Sequence, residues 1–569
     1  MKKRLCVFVS VLLLAVGMIF AVQPTSIALS DDDADVIHMF ICYGQSWSVG
    51  YDAAAITTEA RYDNWMLDTG IKNNPLSDLS VTATAFVPAV EFSGKNSDTA
   101  SYKQTTGETP VSAQMNMVKQ LMEDEDGLDM TVVSYPLLGT APGMGSKTLA
   151  QLSKGTDYYN RLVAQVQQAH MIATVMDKRL VVEAFSWVQG SLGSGLKGTY
   201  AANLEQLRLD IDTDVKAITG QTQDVKCITW QSYIYNKNLR AKQVYNQYVG
   251  AAETYPHIIC AGATYHLDNV RAANLHLTSE SQDWLGAYFG VAYKRTILDG
   301  EKFEPLKPIA ANTRGNELLV KFHVPYGSLV FDGDYFADAA NEVPNEGFRL
   351  YAADGTEKAI TDVSITSSDT VKIVCADAVE NTDRLTYGDI STDAYQWVNN
   401  NRGHLRDTQG DSIQYKSGNL NDNHSVLPLH NWCVLFDKTI DELGHFHEWS
   451  EPMPDVTDPD VHSRTCTCGM AESAPHSFDD GVGTRDGKVY TCGECGYFYI
   501  DKTFVFVPGD VDGNGKVNVR DIACLQRYLN GWEVDINIDA CDANGDGTVN
   551  NRDIALLQQH LNGWDVELK

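Results

Sequence analysis

From residue 36 to about residue 300 two patterns of apolar and polar positions alternate. Short continuous apolar runs, Val36–Tyr43, Met130–Tyr135, Leu180–Val188, Val225–Ser232 and Ile258–Ala263, are bounded by turn residues and predict buried strands. Between them Val111–Met122, Tyr158–Met176 and Ala201–Thr219 carry apolar residues three and four apart and predict helices. Such alternation predicts an α/β domain of three layers, α/β/α and doubly wound, with functional residues in the loops after the strands. Pro305 and Pro308 then mark a linker. Beyond it the period shortens to two in Glu317–His323, Ser328–Phe331, Gly347–Tyr351, Thr370–Val374 and Arg384–Tyr387, which predicts an antiparallel β-sandwich. Its expected role is support, and Asn401–Asp407 is expected to pack back onto the first domain. Two similar helical stretches, Ile522–Leu529 and Ile554–Leu561, close the chain. The expected organisation is a leader at 1–30, an α/β domain at 31–300, a β-rich domain at 301–440, a Cys/His-rich spacer at 441–503 and a duplicated helical module at 508–569.

Charge narrows the class. The formal net charge is −31, which excludes the basic surfaces that nucleic acid and anionic membranes require. Lys2, Lys3 and Arg4 precede an apolar run from Cys6 to Val22, with small residues at Ala21 or at Ala28 and Ser30 for cleavage. This pattern predicts a signal peptide and an extracellular protein, with no membrane span after its removal.

The candidate chemistry sits at strand ends. Ile41–Gly50 reads Ile-Cys-Tyr-Gly-Gln-Ser-Trp-Ser-Val-Gly and puts Ser46 in a turn just past the first strand. Ester cleavage needs a nucleophile, a base for its proton and donors for the oxyanion. Ser46, His276, the Gly139 N–H in the loop Leu138–Gly143 and the Gln189 amide would fill those roles. Trp47 and Trp187 could form a sugar-stacking wall or pack in the core.

Four ordered blocks carry a resemblance: Gly44-Gln45-Ser46, Gly107-Glu108-Thr109-Pro110, Trp187-Val188-Gln189-Gly190 and His276-Leu277-Thr278. Together they resemble the SGNH (GDSL-like) hydrolases of the sialate O-acetylesterase and acetylxylan esterase type. The resemblance implies an SGNH-type three-layer hydrolase domain and serine catalysis. It departs from the family at two acids, because Ser191 and Ala273 stand where Glu and Asp are usual. Asp268 is then the nearest upstream acid for His276, and a Ser–His dyad or a domain that only binds carbohydrate are the alternatives. His266 competes as the base but lacks the following Leu-Thr.

In the spacer Cys466-Thr-Cys468 and Cys492-Gly-Glu-Cys495 form two knuckles among several histidines. Four thiolates, or two thiolates and two imidazoles, would hold a structural zinc, and disulfides are the rival. In the last module Asp510, Asp512, Asn514, Lys516, Asn518 and Asp521 occupy positions 1, 3, 5, 7, 9 and 12 of a calcium loop. Asp542, Asn544, Asp546, Thr548, Asn550 and Asp553 repeat it, and Lys516 and Thr548 would offer backbone carbonyls. Each loop is followed, and neither is expected to be preceded, by a helix. This duplication resembles a type I dockerin. It implies two calcium ions, a cohesin module of a scaffoldin as partner, and a cellulosome as location. The combined expectation is a secreted carbohydrate O-acetylesterase acting on an acetylated polysaccharide such as acetylxylan.

Overall fold

The computed structural model describes residues 35–72, 82–91, 107–189, 199–232, 240–269, 276–336, 343–389, 401–421, 425–466 and 469–569. The leader, Ser191, Ala273 and Cys468 lie outside the described residues. The chain divides into two compact units, one running to His445 and the other from Phe446 to Lys569.

The first unit is built on an eight-stranded sheet. Its elements are β1 (Val36–Gly44), β2 (Trp65–Leu67), β3 (Phe86–Pro88), α1 (Pro110–Asp124), β4 (Leu137–Thr140), α2 (Asp157–Val175), β5 (Arg179–Val181), β6 (Ala184–Val188), α3 (Tyr200–Thr219), β7 (Lys226–Gln231), β8 (Ile258–Ala263) and α4 (Ser279–Tyr293). The strand order is β3-β2-β4-β1-β6-β7-β8, with β5 beside the start of β1. Only β3 runs antiparallel to its neighbour. β1 is buried along its whole length, as an apolar run flanked on both sides by strands must be. It lies where strand order reverses, between β4 on one side and β6 on the other. Open parallel sheets bind ligands at the carboxyl end of such a switch point.

Two expectations are corrected. Met130–Tyr135 is not a strand. Asp129 folds it into a turn, its carboxylate accepting from Thr131 N–H at 3.0 Å, and Val132 is 77% exposed. The strand begins after Pro136, at Leu137. The run Leu180–Val188 is two strands, divided at Glu183, which takes His38 Nδ1 at 2.6 Å and the Tyr293 hydroxyl at 3.0 Å. The short β2 and β3 had too few residues to stand out.

After α4, residues 307–314, 317–323, 360–367 and 370–375 form one antiparallel sheet, and 348–351, 357–358, 384–387 and 436–439 another. Phe322 of the first meets Phe348 of the second edge-on. One continuous hydrophobic core extends from Ile37 to Leu443, so the expected boundary near residue 300 falls inside it. Residues 417–421 and 425–436 are gripped by the α/β part. The Gln231 amide brackets Leu435, donating to its carbonyl at 2.8 Å and accepting from its N–H at 2.7 Å. Tyr265, Trp284 and Tyr288 donate to the carbonyls of Cys433, Pro428 and His430. In the Asn401–Asp407 stretch, Leu405 and Arg406 are held by Tyr387 and Asp332, both of the β-rich part.

In the second unit, hairpins at 461–475 and 482–501 precede helices Val519–Leu529 and Asn551–Leu561. Each helix starts three residues before the apolar pattern does. Asn518 and Asn550 cap them, accepting from Arg520 and Arg552 N–H. A short helix, Ile538–Cys541, does precede the second loop, contrary to expectation. Val511, Leu525, Cys541, Ala543, Ile554 and Leu557 form the core of this end. Among the described residues no helix is long and apolar enough to cross a membrane.

Candidate functional site

Ser46 opens a single 3₁₀ turn directly after β1. The turn is forced by close packing. A Cβ at Gly44 would lie 2.0 Å from the Val188 carbonyl oxygen, and the next residue, Gln45, donates its N–H to that same oxygen at 2.8 Å. The chain then doubles back, with Tyr51 N–H on the Ser46 carbonyl at 3.0 Å. Asp52 follows in the left-handed region, φ 65°, a strained state for a non-glycine residue.

That strain has a partner. The Asp52 carboxylate lies 2.9 Å from His276 Nδ1, and the Tyr51 ring packs against the imidazole at 4.6 Å between centroids. Both members are partly exposed, 29% for the Asp52 side chain and 20% for that of His276. A carboxylate on Nδ1 fixes the tautomer that leaves Nε2 free to accept a proton, and it stabilises the imidazolium that results. The acid expected to do this, Asp268, does not. Its carbonyl accepts from Thr278 N–H at 3.0 Å and its N–H donates to the Ser281 hydroxyl at 2.8 Å, so it buttresses the start of α4. The His-Leu-Thr block gains a physical meaning here. His276 faces Asp52, Leu277 is buried in the core, and Thr278 caps α4 by accepting from Ser281 N–H at 3.2 Å.

The Gly-Glu-Thr-Pro block holds the same loop from the other side. Glu108 is fully buried and accepts from Ile56 and Thr57 N–H at 2.6 and 3.0 Å, four and five residues beyond Asp52. Thr109 is the N-cap of α1, its hydroxyl on Glu91 at 2.5 Å, and Pro110 takes the first helical position. Burial, then the neighbouring charges of Asp283 and Glu91, push the Glu108 carboxyl well above the usual range, and the side chain hydrogen-bonds Asp283. Asp283 in turn accepts from the Ser417 hydroxyl and Gly418 N–H, both at 2.9 Å. Glu108 Oε1 and Asp283 Oδ1 are the two carboxyl oxygens left without other partners, so one proton held by Glu108 between them satisfies both.

The oxyanion donors are only partly those expected. Gly139 lies inside β4, paired with Phe40, and a Cβ there would meet the Met115 side chain at 2.5 Å. It presents no free loop N–H. Four residues on, a Cβ at Gly143 would lie 2.1 Å from Ser48 Oγ and 2.7 Å from the Gly44 carbonyl oxygen, so Gly143 is the residue beside the serine turn. Met144 N–H on the Gly44 carbonyl, at 2.9 Å, ties the two loops together. Buried Arg161 of α2 sets the loop's shape, donating to the carbonyls of Pro142 and Gly143 at 2.5 and 2.6 Å. Gln189 is buried past the end of β6. Tyr200 donates to its Oε1 at 2.8 Å, and the amide nitrogen makes a long 3.4 Å contact with the Lys147 carbonyl.

Trp47 and Trp187 are core residues. Trp47 stacks on Trp230 at 4.7 Å, and Trp187 donates its N–H to the Tyr200 hydroxyl at 3.0 Å. Tyr51, half-buried beside His276, is the aromatic next to the chemistry. His266 is no base. It is buried among Trp284, Tyr288 and Trp432, and burial, with His430 nearby, pulls its pKa down to about 3.

In the calcium loops the donors converge. Ligand oxygens of Asp510, Asp512 and Asp521 lie within 4.8 Å of one another. Asp510 accepts from Gly515 N–H at 2.7 Å, and Asp542 accepts from Gly547 N–H at 2.9 Å in the repeat. Asp521 and Asp553 are fully buried, and Asp521 lies beside Asp510 and Asp512, a donor set that fits a hard cation. The expected zinc set is changed. The ligand atoms that come together are those of His462, His476, Cys492 and Cys495, and Cys466 is not among them.

Comparisons with known proteins match two regions of the chain. Residues 36–295 match the family model described as carbohydrate esterase, sialic acid-specific acetylesterase, and residues 508–562 match the type I dockerin domain. Among solved structures, a carbohydrate acetylesterase from Xanthomonas citri is 14% identical, with 71% of this chain and 80% of that one covered and a TM-score of 0.42. A protein from Arabidopsis thaliana is 18% identical, covering 45% of this chain and 97% of its own, with a TM-score of 0.33. NanS is 13% identical over 40% of this chain and 78% of its own, with a TM-score of 0.29. No curated protein matches the chain.

Proposed function

Because the chain joins a carbohydrate esterase domain of the acetylesterase kind to a type I dockerin domain, we propose that it is a secreted, cellulosome-borne O-acetylesterase that works by serine catalysis in an SGNH-type three-layer domain. The observation that carries the reading is the Asp52–His276 pair at the end of the Ser46 turn. Ser46 Oγ attacks the acetyl carbonyl and its proton passes to His276 Nε2. Asp52 stabilises the imidazolium through Nδ1. The N–H groups of Ser46 and Gly143 and the Gln189 amide receive the oxyanion. Collapse expels the sugar hydroxyl, protonated by His276, and water then releases acetate and restores the serine.

The dockerin speaks for a plant polysaccharide such as acetylxylan and for a cohesin module as partner. Each of its loops would hold one calcium ion through the side chains named above, and the ion would neutralise the converging carboxylates and fix the loop ahead of each helix. The family description favours a second substrate, O-acetylated sialic acid. The test is acetate release from acetylxylan and from O-acetylated sialic acid by the parent and by Ser46→Ala. Release by the parent alone assigns Ser46, and the preferred substrate decides between the readings. Equal release from both proteins removes Ser46 from the mechanism.

A further inference from the structure

We propose that His462, His476, Cys492 and Cys495 form a tetrahedral zinc site that holds together the small β-rich segment ahead of the calcium loops. The four ligand atoms lie within 4.8 Å of one another. Cys492 Sγ is 3.8 Å from His462 Nδ1, and Cys495 Sγ is 3.3 Å from His476 Nδ1. With Zn–S of about 2.3 Å and Zn–N of about 2.0 Å, tetrahedral geometry sets sulfur and nitrogen about 3.5 Å apart. The measured separations bracket that value.

Three further features belong to a metal site. The Cys492–Cys495 loop is a tight knuckle, closed by Gly496 N–H on the Cys492 carbonyl at 2.9 Å, which brings the two sulfurs to one side. Glu494 reaches His462 Nε2 at 3.4 Å, on the side away from the cluster. A carboxylate there fixes the tautomer and raises the basicity of a ligating imidazole. The ligands also come from separate elements: His462 from strand Val461–Thr465, His476 from just past strand Ala471–Pro475, and the cysteines from the turn after strand Gly487–Thr491. One ion therefore ties two hairpins.

The segment needs such a tie. Between residues 446 and 507 the buried described residues are His462, Cys466, Gly487 and Cys492, and neither hydrophobic cluster reaches into it. Two of the ligands thus stand where a core would be. A fold this small without apolar burial requires a metal or a covalent staple. Two imidazoles and two thiolates select zinc over calcium, which prefers oxygen.

The test uses the full chain, purified from zinc-supplemented medium with calcium chloride present to fill the acidic loops, then dialysed and assayed for zinc by mass spectrometry. The parent is expected to retain zinc, and Cys492→Ser to carry one equivalent less. Cobalt(II) substituted for zinc is expected to give a thiolate-to-cobalt charge-transfer band that oxygen ligands cannot produce, weakened in Cys492→Ser. Because that variant could lose its fold, His462→Cys is measured too. It offers a third thiolate and is expected to keep the metal with a stronger band. Unchanged zinc content and an unchanged cobalt band in both variants would overturn the site, as would a Cys492–Cys495 disulfide found by alkylation and mass spectrometry of the untreated protein.

Discussion

The acid that orients His276 comes from the serine's own turn. Asp52 stands six residues after Ser46, 224 residues before the histidine, and its carboxylate reaches Nδ1 at 2.9 Å. Asp52→Asn is expected to lower kcat by about a thousandfold to ten-thousandfold while KM changes little, because the amide favours the wrong tautomer. Asp268→Asn is expected to retain activity within a few-fold. Steady-state hydrolysis of an aryl acetate by both variants checks this. Comparable losses in the two would return the role to Asp268.

Gly143 admits no side chain, since a Cβ would collide with Ser48 and the Gly44 backbone. Gly143→Ala is expected to cost about a hundredfold to a thousandfold in kcat, the loss typical of one oxyanion donor. Arg161→Met, which frees the carbonyls of Pro142 and Gly143, is expected to lower kcat in the same direction. Single-turnover acylation separates these effects from substrate binding.

The Glu108–Asp283 pair gives a pH signature. A carboxyl whose folded pKa is raised contributes stability that is complete below its ordinary value near 4.5 and is lost as pH rises through the folded value. This pair should therefore lower Tm as pH climbs above about 4.5. Glu108→Gln keeps the acceptor for Ile56 and Thr57 and a donor for Asp283, so its Tm should fall less over that window. Equal slopes for parent and variant would place the proton elsewhere. Glu108→Ala releases the loop beyond Asp52 and is expected to reduce kcat by about tenfold to a hundredfold.

Chelating calcium leaves Asp510, Asp512 and Asp521 to repel one another. Excess EGTA is expected to melt the helices at 519–529 and 551–561, read as lost helical circular dichroism, while aryl acetate hydrolysis continues. Loss of hydrolysis on chelation would tie the loops to catalysis.

Ser46 was placed from the turn that ends the apolar run of β1, and His276 was placed from the His-Leu-Thr block ahead of α4. The acid was not legible. A search near His276 in sequence finds Asp268, whereas Asp52 reaches the ring through a doubled-back turn in a left-handed conformation that no periodicity announces. Gly139 was expected in a loop because the strand that contains it begins only at Leu137, and the loop beside the serine turn carries Gly143. At the spacer the pairing of strands 461–465 and 471–475 sets His462 beside His476, and the bridge from Phe478 to Cys492 brings the second cysteine pair to them, which cysteine spacing alone does not announce.

The grip on residues 417–421 and 425–436 has an evolutionary consequence. Gln231, Tyr265, Trp284 and Tyr288 hold carbonyls there, and Asp283 holds the Gly418 N–H. Peptide groups are common to every residue type. At exposed positions of the gripped segment, such as Leu420 and Val426, mutational drift can therefore be wide without loosening the attachment, whereas change is restricted at its core residues, such as Trp432 and Leu435, and at the five gripping side chains. In an alignment of relatives, invariance should collect on the holding side and on the buried positions of the held one, and variation on its exposed positions.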